Sequence, residues 1–167
     1  MPKTKKQETE KKVEKVTLKK ETKKHTYYEA VGRRKEATAN VRLYVISEGE
    51  LAMGGYNVKK GDILVNKRPI EKYFAGEVFK KIYSEPFRVT NTVGRFAVTA
   101  VTVGGGPNGQ VGAFVHAVSR ALEKVDKDKF RVILKKSGFL TRDSRMKERR
   151  KAGFAQKARA RKQSPKR

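Results

Sequence analysis

A glycine-rich run between two regular patterns is the first feature of this sequence that could do chemistry. Residues 104–109 are Gly-Gly-Gly-Pro-Asn-Gly, placed after a strand pattern and before a helix pattern. The first N–H groups of a helix can hold a phosphate at such a place. The run lacks the Lys-Ser/Thr pair of a nucleotide-hydrolysing loop, and no clear acidic partner follows it. We therefore predict a tight turn that rests on a phosphate group, rather than a nucleotide site.

The titratable side chains do not form a catalytic set. His116 falls within a helical pattern, and neither a Ser nor a carboxylate pair is placed to join it, which favours a packing or nucleic-acid-facing role. Asp143 stands between Arg142 and Arg145, which predicts an internal ion pair or a helix cap. The chain has no cysteine, so thiolate chemistry and Cys-based zinc sites are excluded. We predict no enzymatic activity, no metal and no cofactor.

Positive charge is the dominant property of the chain, whose formal net charge is +25. Fourteen of the residues 135–167 are Lys or Arg and only two are acidic, so this segment cannot fold by burying apolar surface. Further clusters lie at residues 33–35 and 67–68. Several clusters together favour a polyanion, and nucleic acid is the densest polyanion in a cell. Neither helix-turn-helix spacing, a zinc pattern nor a basic zipper is present, which favours folded RNA over a specific DNA sequence.

The charge distribution divides the chain into three parts. Residues 1–25 carry ten Lys and four Glu and are predicted to be a disordered arm, residues 26–138 a globular RNA-binding domain, and residues 139–167 an extended basic tail. No apolar stretch approaches the roughly 20 residues of a membrane span, and neither a signal peptide nor a transit peptide is evident at the N-terminus. We expect no membrane partner.

The central part predicts an α+β fold, in which helices pack on a sheet. Alternation predicts strands near residues 27–31, over 37–46 and over 95–103, with shorter strands at 63–65 and 87–90. Residues 47–61 are predicted to be a hairpin loop. Helices are predicted from Pro69, over 77–83 with an end before Pro86, over 111–125, and over 130–134 closed by Gly138.

Five short motifs follow one another along the chain. They are Gly32-Arg33-Arg34-Lys35-Glu36-Ala37, Gly104-Gly105-Gly106 with Gly109-Gln110, Ser119-Arg120-Ala121-Leu122, Leu140-Thr141-Arg142-Asp143-Ser144-Arg145, and Glu148-Arg149-Arg150-Lys151-Ala152-Gly153 before a terminal Lys-Arg. In this order they resemble the family of small-subunit ribosomal protein nine over about residues 26–167. The resemblance implies a mixed four-stranded sheet with helices packed on it and a left-handed βαβ crossover, an exception to the usual hand.

The resemblance also implies a function. The family binds ribosomal RNA in the head of the small subunit, beside neighbouring head proteins, and its tail reaches tRNA in the peptidyl site during translation. By position, the ribosomal RNA contacts would be Arg33, Arg34, Lys35, Arg142, Arg145, Arg149, Arg150 and Lys151. The tRNA contacts would be Lys166 and Arg167. The implied location is a cytoplasmic ribosome, with an organellar ribosome left open.

Some features of the sequence depart from the family pattern. The residue before Ser-Lys-Arg is usually aromatic, whereas this chain ends Gln163-Ser164-Pro165-Lys166-Arg167, and its loop 47–61 is longer than in familiar bacterial members. Two alternatives stay open on the residues alone. The same charge suits a free RNA chaperone or nucleoid-type binder, and the crossover fold is shared with some small-molecule kinases, for which Gly106 would be the residue to test.

Overall fold

The computed structural model describes residues 26–46, 51–53, 56–154 and 157–159. The predicted arm 1–25 and the terminal pair Lys166 and Arg167 lie outside the described residues. Within the described part, the chain forms seven strands and four helices. The strands are β1 (Tyr27–Arg34), β2 (Ala37–Tyr44), β3 (Leu51–Met53), β4 (Tyr56–Val58), β5 (Ile63–Val65), β6 (Arg68–Pro69) and β7 (Ala97–Val103), and the helices are α1 (Ile70–Tyr73), α2 (Glu77–Val89), α3 (Pro107–Val125) and α4 (Lys127–Lys136).

Five of these strands form one mixed sheet in the order β1-β2-β7-β5-β6. β1, β2 and β7 are antiparallel neighbours, and β5 lies parallel to β7. The main sheet therefore has five strands, one more than the four that the family resemblance implied. The additional strand β6 has two residues, and it forms because Asn66 and Lys67 adopt positive φ angles of 47° and 66° that turn the chain back onto β5. A two-residue strand is too short to show alternation.

A βαβ crossover connects the parallel pair. The chain leaves β5, passes through β6, α1 and α2, and returns as β7 beside β5. The left hand of this crossover stays a prediction. The hairpin predicted within residues 47–61 is present as a separate two-stranded sheet of β3 and β4. Val58 of β4 is fully buried and packs with Tyr44, Ile46 and Ala97 in a small second core.

Helix α2 corrects two predictions. It was expected to end before Pro86 and to be followed by a strand at residues 87–90, but it continues through Pro86 to Val89. Proline within a helix costs about 3 kcal/mol. Tyr83 and Phe87, four residues apart, are both about 5% exposed, and burying side chains of this size stabilises by roughly 1.5–3 kcal/mol each. Packing of one helix face therefore outweighs the local cost of the proline.

The main core lies between the sheet and α3, which confirms the α+β prediction. α3 packs across β1 and β2, and its inward face is fully or nearly fully buried at Val111, Phe114, Val118 and Leu122. The sheet supplies alternate residues of β2, and α4 adds two further side chains; these are Ala39, Val41, Leu43, Phe130 and Leu134. The predicted period-2 and helical patterns thus meet at one interface.

Candidate nucleic-acid interface

The outer edge of β1 is covered by one row of α3 side chains. Strand β1 pairs with β2 on its inner side only, so alternate backbone groups along its outer side need other partners. His116, Arg120 and Lys124 supply them at four-residue intervals. His116 Nδ1 accepts from the Arg33 N–H at 3.4 Å, Arg120 donates to the Val31 carbonyl oxygen, and Lys124 Nζ donates to the Glu29 carbonyl oxygen at 2.6 Å.

The spacing of this row follows from the geometry of the two elements. Four residues of a helix rise about 6.0 Å and two residues of a strand about 6.6 Å, so each α3 side chain in the row reaches the next outward-facing backbone group. An edge satisfied in this way cannot pair with another strand. The sequence did not indicate the partners of these three residues.

His116 acts as a structural acceptor in this row. Its half-buried ring has a lowered pKa, chiefly because burial disfavours the charged form, and Arg120 and Arg142 lower the pKa further. Interaction with the Leu140 backbone opposes this shift. The ring is therefore neutral at pH 7 and accepts from Arg33, whereas the sequence predicted a packing or nucleic-acid-facing role.

The cluster at residues 33–35, here called the basic turn, lies between β1 and β2. Arg33 and Lys35 are exposed, and Lys35 has a φ of 52° at the tightest point of the turn. Arg34 differs from both, because its side chain is only 22% exposed and turns toward the tail. Its Nη1 donates to the Arg145 carbonyl oxygen at 2.7 Å, and its Nη2 lies 3.0 Å from Oδ2 of Asp143.

Asp143 forms ion pairs with two arginines, Arg145 and Arg34, in agreement with the predicted internal ion pair. Arg145 donates to both carboxylate oxygens through Nε at 3.1 Å and through Nη2 at 2.7 Å, and its backbone N–H donates to Oδ1 at 2.9 Å. These hydrogen bonds, with the charges of Arg145 and Arg34, hold the pKa of Asp143 far below its usual range. The carboxylate therefore stays charged and tied to the basic turn at neutral pH.

The inner tail, residues 139–151, has neither helix nor strand and is mostly exposed. Its predicted RNA-contacting residues Arg142, Arg149, Arg150 and Lys151 are all exposed. The chain then turns back on itself, since the Lys151 N–H donates to the Lys157 carbonyl oxygen at 3.1 Å. Glu148 pairs with Arg159, whose Nε lies 2.9 Å from Oε2. Described residues at 148–151 therefore contact described residues at 157–159.

The glycine-rich run is a tight strand-to-helix turn, as predicted. A β-carbon on Gly104 would lie 2.7 Å from the Glu36 carbonyl oxygen, so this glycine allows the run to approach the basic turn closely. Pro107 begins α3, and the first turn of α3 contains no acidic residue. A depression of about 200 Å³ opens here, and Lys35 and Lys147 are among the residues that line it.

A side-chain network that the sequence did not reveal fixes this turn. The Asn66 amide pairs with the Thr102 backbone, accepting at 2.9 Å and donating at 3.0 Å, and thus extends the β5 side of the sheet. Asn66 also donates to the Tyr73 hydroxyl at 3.1 Å, which donates to Gln110 Oε1 at 3.0 Å. Gln110 Nε2 donates in turn to the Gly104 carbonyl oxygen. The only indication of this position in the sequence was the residue type, because Asn tolerates a positive φ angle better than most residues do.

Comparison with known families shows the family to which the chain belongs. The family model described as ribosomal protein S9/S16 matches residues 32–167. The chain belongs to the ribosomal protein S9/S16 family. A curated relative, small ribosomal subunit protein uS9 of Leifsonia xyli subsp. xyli (strain CTCB07), is 44% identical over 125 residues, which are 75% of this chain and 67% of the relative.

As a member of the S9/S16 family, the chain is a structural protein of the small ribosomal subunit and not an enzyme. This assignment decides against the small-molecule kinase alternative and against a protein that acts mainly outside the ribosome. In the ribosome it binds ribosomal RNA and neighbouring subunit proteins. No helix of the described residues is long and apolar enough to cross a membrane.

The fold of this S9/S16 protein brings some of the predicted contact residues together and leaves others apart. Arg34, Arg145 and the Asp143 carboxylate meet in one cluster, with Arg33 and Lys35 on the same turn. Arg149, Arg150 and Lys151 lie further along the exposed inner tail, and Lys166 and Arg167 lie outside the described residues. Within the described ranges, no group of three or more His, Asp or Glu side chains could hold a metal ion.

Proposed function

We propose that this ribosomal protein binds ribosomal RNA of the small-subunit head with its basic turn and inner tail, and that the end of its tail contacts tRNA in the peptidyl site. The observation that carries the proposal is the 3.0 Å ion pair between Arg34 and Asp143, since it holds two separate basic segments side by side. Two exposed segments with the same charge can then follow one phosphate backbone.

The proposed ribosomal RNA contacts are the exposed cations of these segments. They are Arg33, Lys35, Arg142, Arg145, Arg149, Arg150 and Lys151. Arginine forks suit bidentate contact with phosphate oxygens, and the aligned N–H groups at the start of α3 favour an anion between Lys35 and Lys147. The remaining predicted contact, Arg34, has its donors directed at the tail.

The tRNA contact is assigned to Lys166 and Arg167. The terminal Lys-Arg of the chain matches the family's tRNA-contacting end, although Pro165 precedes it here. Two positive charges at the end of a basic tail suit the phosphates of an anticodon stem-loop. We place the ribosomal RNA anchor before Gly153 and the tRNA contact after Arg161.

Removing residues 164–167 tests the tail's separate role. Because the ribosomal RNA contacts remain, we expect reconstituted small subunits to assemble normally. They should bind peptidyl-site tRNA more weakly, because Lys166 and Arg167 are missing. The matched control keeps the tail length and replaces Lys166 and Arg167 by Gln, which should reproduce most of the loss. Normal tRNA binding by the truncated subunits, or a failure of assembly, would contradict the proposal.

A further inference from the structure

The chain is reversed immediately after α4. Gly138, with a φ of 77°, ends the helix, and the Phe139 N–H donates to the Leu134 carbonyl oxygen at 3.0 Å. Phe139 and Leu140 then pack, partly buried, against the main core. The first residues of the tail are therefore directed back over the domain rather than away from it.

One side chain of the domain holds the next part of the tail. The guanidinium of Arg34 contacts Asp143 and Arg145. Three acceptors on the tail face this single guanidinium: Oδ2 of Asp143 at 3.0 Å, the Asp143 carbonyl oxygen at 3.5 Å and the Arg145 carbonyl oxygen at 2.7 Å. We call these contacts of Arg34 the tail anchor.

The domain provides a slot for the stem of Arg34. A β-carbon on Gly112 of α3 would lie 2.9 Å from Cγ, 3.4 Å from Cβ and 3.6 Å from Cδ of Arg34. The aliphatic stem thus lies directly on the α3 backbone, where a larger residue would displace it. This packing fixes the direction of the guanidinium before any RNA is present.

We propose that Arg34 is a positioning residue, which sets the place and direction in which the tail leaves the domain, and not a phosphate ligand. A planar fork can reach acceptors two residues apart on the tail, whereas a lysine ammonium cannot reach all three at once. Arg33 and Lys35, its exposed neighbours, keep the phosphate-binding role. The consequence for tRNA binding rests on the function proposed above, but the anchor itself does not.

A spin label on the tail tests the anchor in the full-length protein. The chain has no cysteine, so a nitroxide on Ser144→Cys reports only the segment between Asp143 and Arg145. We expect a restricted spectrum in the parent chain. Arg34→Ala, Arg34→Lys and Asp143→Asn should each convert it to a mobile one, and Gly112→Ala should do the same by displacing the Arg34 stem.

Two controls separate the anchor from charge alone. Arg33→Ala and Arg145→Ala remove one cation each but leave the Arg34–Asp143 pair, so the label should stay restricted. Asp143→Asn removes a negative charge and so raises the net charge of the chain. If Arg34 were instead a phosphate ligand, this variant should bind RNA as tightly as the parent or more tightly, and its label should stay restricted. A restricted label in both Arg34→Ala and Asp143→Asn would overturn the proposal, whatever the tail does at the tRNA.

Reconstituted small subunits then connect the anchor to tRNA. With Arg34→Lys, which keeps the charge, we expect weaker peptidyl-site tRNA binding, approaching that of the 164–167 deletion. If the label is mobile but neither variant changes tRNA binding, the anchor stands and the proposed tRNA contact fails. If the deletion weakens tRNA binding while the label stays restricted in the Arg34 variants, the tRNA contact stands and the anchor is wrong.

Discussion

Gly32 of β1 lies against the backbone of α3 so closely that no side chain fits between them. A β-carbon on Gly32 would be 2.1 Å from the Ala113 carbonyl oxygen and 2.3 Å from the Ala117 nitrogen. Backbone atoms cannot give way as a flexible side chain can. This approach brings His116, Arg120 and Lys124 within reach of the β1 edge, so the glycine determines the geometry of the whole row.

Gly32→Ala is therefore expected to lower the free energy of unfolding by about 3 kcal/mol or more, because helix and strand must separate. Gly106→Ala is the matched control, since a β-carbon there meets nothing within 4 Å and the φ of Gly106 is −106°. Urea denaturation followed by circular dichroism compares the two variants. Equal stabilities would show that β1 and α3 are not in close contact.

Stability is expected to fall as the pH falls below about 6.5, the usual pKa of histidine. The pKa of His116 is lower in the folded protein than in the unfolded chain. Between the folded-state pKa and about 6.5, the unfolded chain therefore binds more protons than the folded protein. The free energy of unfolding rises with pH over this range. Above about 6.5 the contribution is complete. Denaturation from about pH 8 to about pH 5 measures the slope.

His116→Gln keeps a hydrogen-bond acceptor but does not titrate, so it should remove that slope. His25→Gln is the control for the second histidine of the chain and should leave the slope unchanged. A parent protein whose stability is constant over this range would contradict the proposed state of the His116 ring.

Asn66→Ala should destabilise the domain by about 2 kcal/mol more than Asn91→Ala does. Both residues have a positive φ, 47° and 50°, so the conformational cost of alanine is similar and cancels in the comparison. Asn91 is exposed, whereas Asn66 bonds to Thr102 and Tyr73, which would lose a partner. Thermal unfolding of both variants gives the difference, and equal losses would mean that the network contributes nothing.

RNA binding should weaken steeply with salt, because each phosphate contact releases counterions. Arg149→Gln should reduce the slope of log K against log salt by about 0.7 to 0.9 for small-subunit ribosomal RNA. Lys127→Gln, an exposed cation at the start of α4, removes the same charge outside the proposed interface and should leave the slope unchanged. Equal effects of the two variants would show that net charge alone governs binding.

Much of the fold follows from local patterns. The alternation of β2 and β7 and the helical periodicity of α3 predicted these elements, because each pattern reports which face is buried. The predictions that failed concern residues whose conformation depends on distant contacts. Pro86 was read as a helix end, although the burial of Phe87 keeps α2 intact, and the two-residue strand β6 has no pattern of its own.

The interface divides in the same way. The exposed cations at Arg33, Lys35 and in the inner tail are visible as clustered charge in the sequence itself, and their contact with RNA stays a proposal. The different role of Arg34 could not, since nothing in Arg-Arg-Lys distinguishes the middle residue. Its partner Arg145 is 111 residues away, and the slot that directs it lies on α3.

By itself the sequence determined the partner class and the family, because charge is additive and the motifs follow one another in order. The tertiary structure alone decided which cations remain available to bind. Folding uses Arg120 and Lys124 to satisfy the β1 edge, because edge backbone groups need partners, and it directs the Arg34 guanidinium to Asp143 and Arg145. That requirement depends on which segments meet in space, and the order of residues along the chain does not contain it.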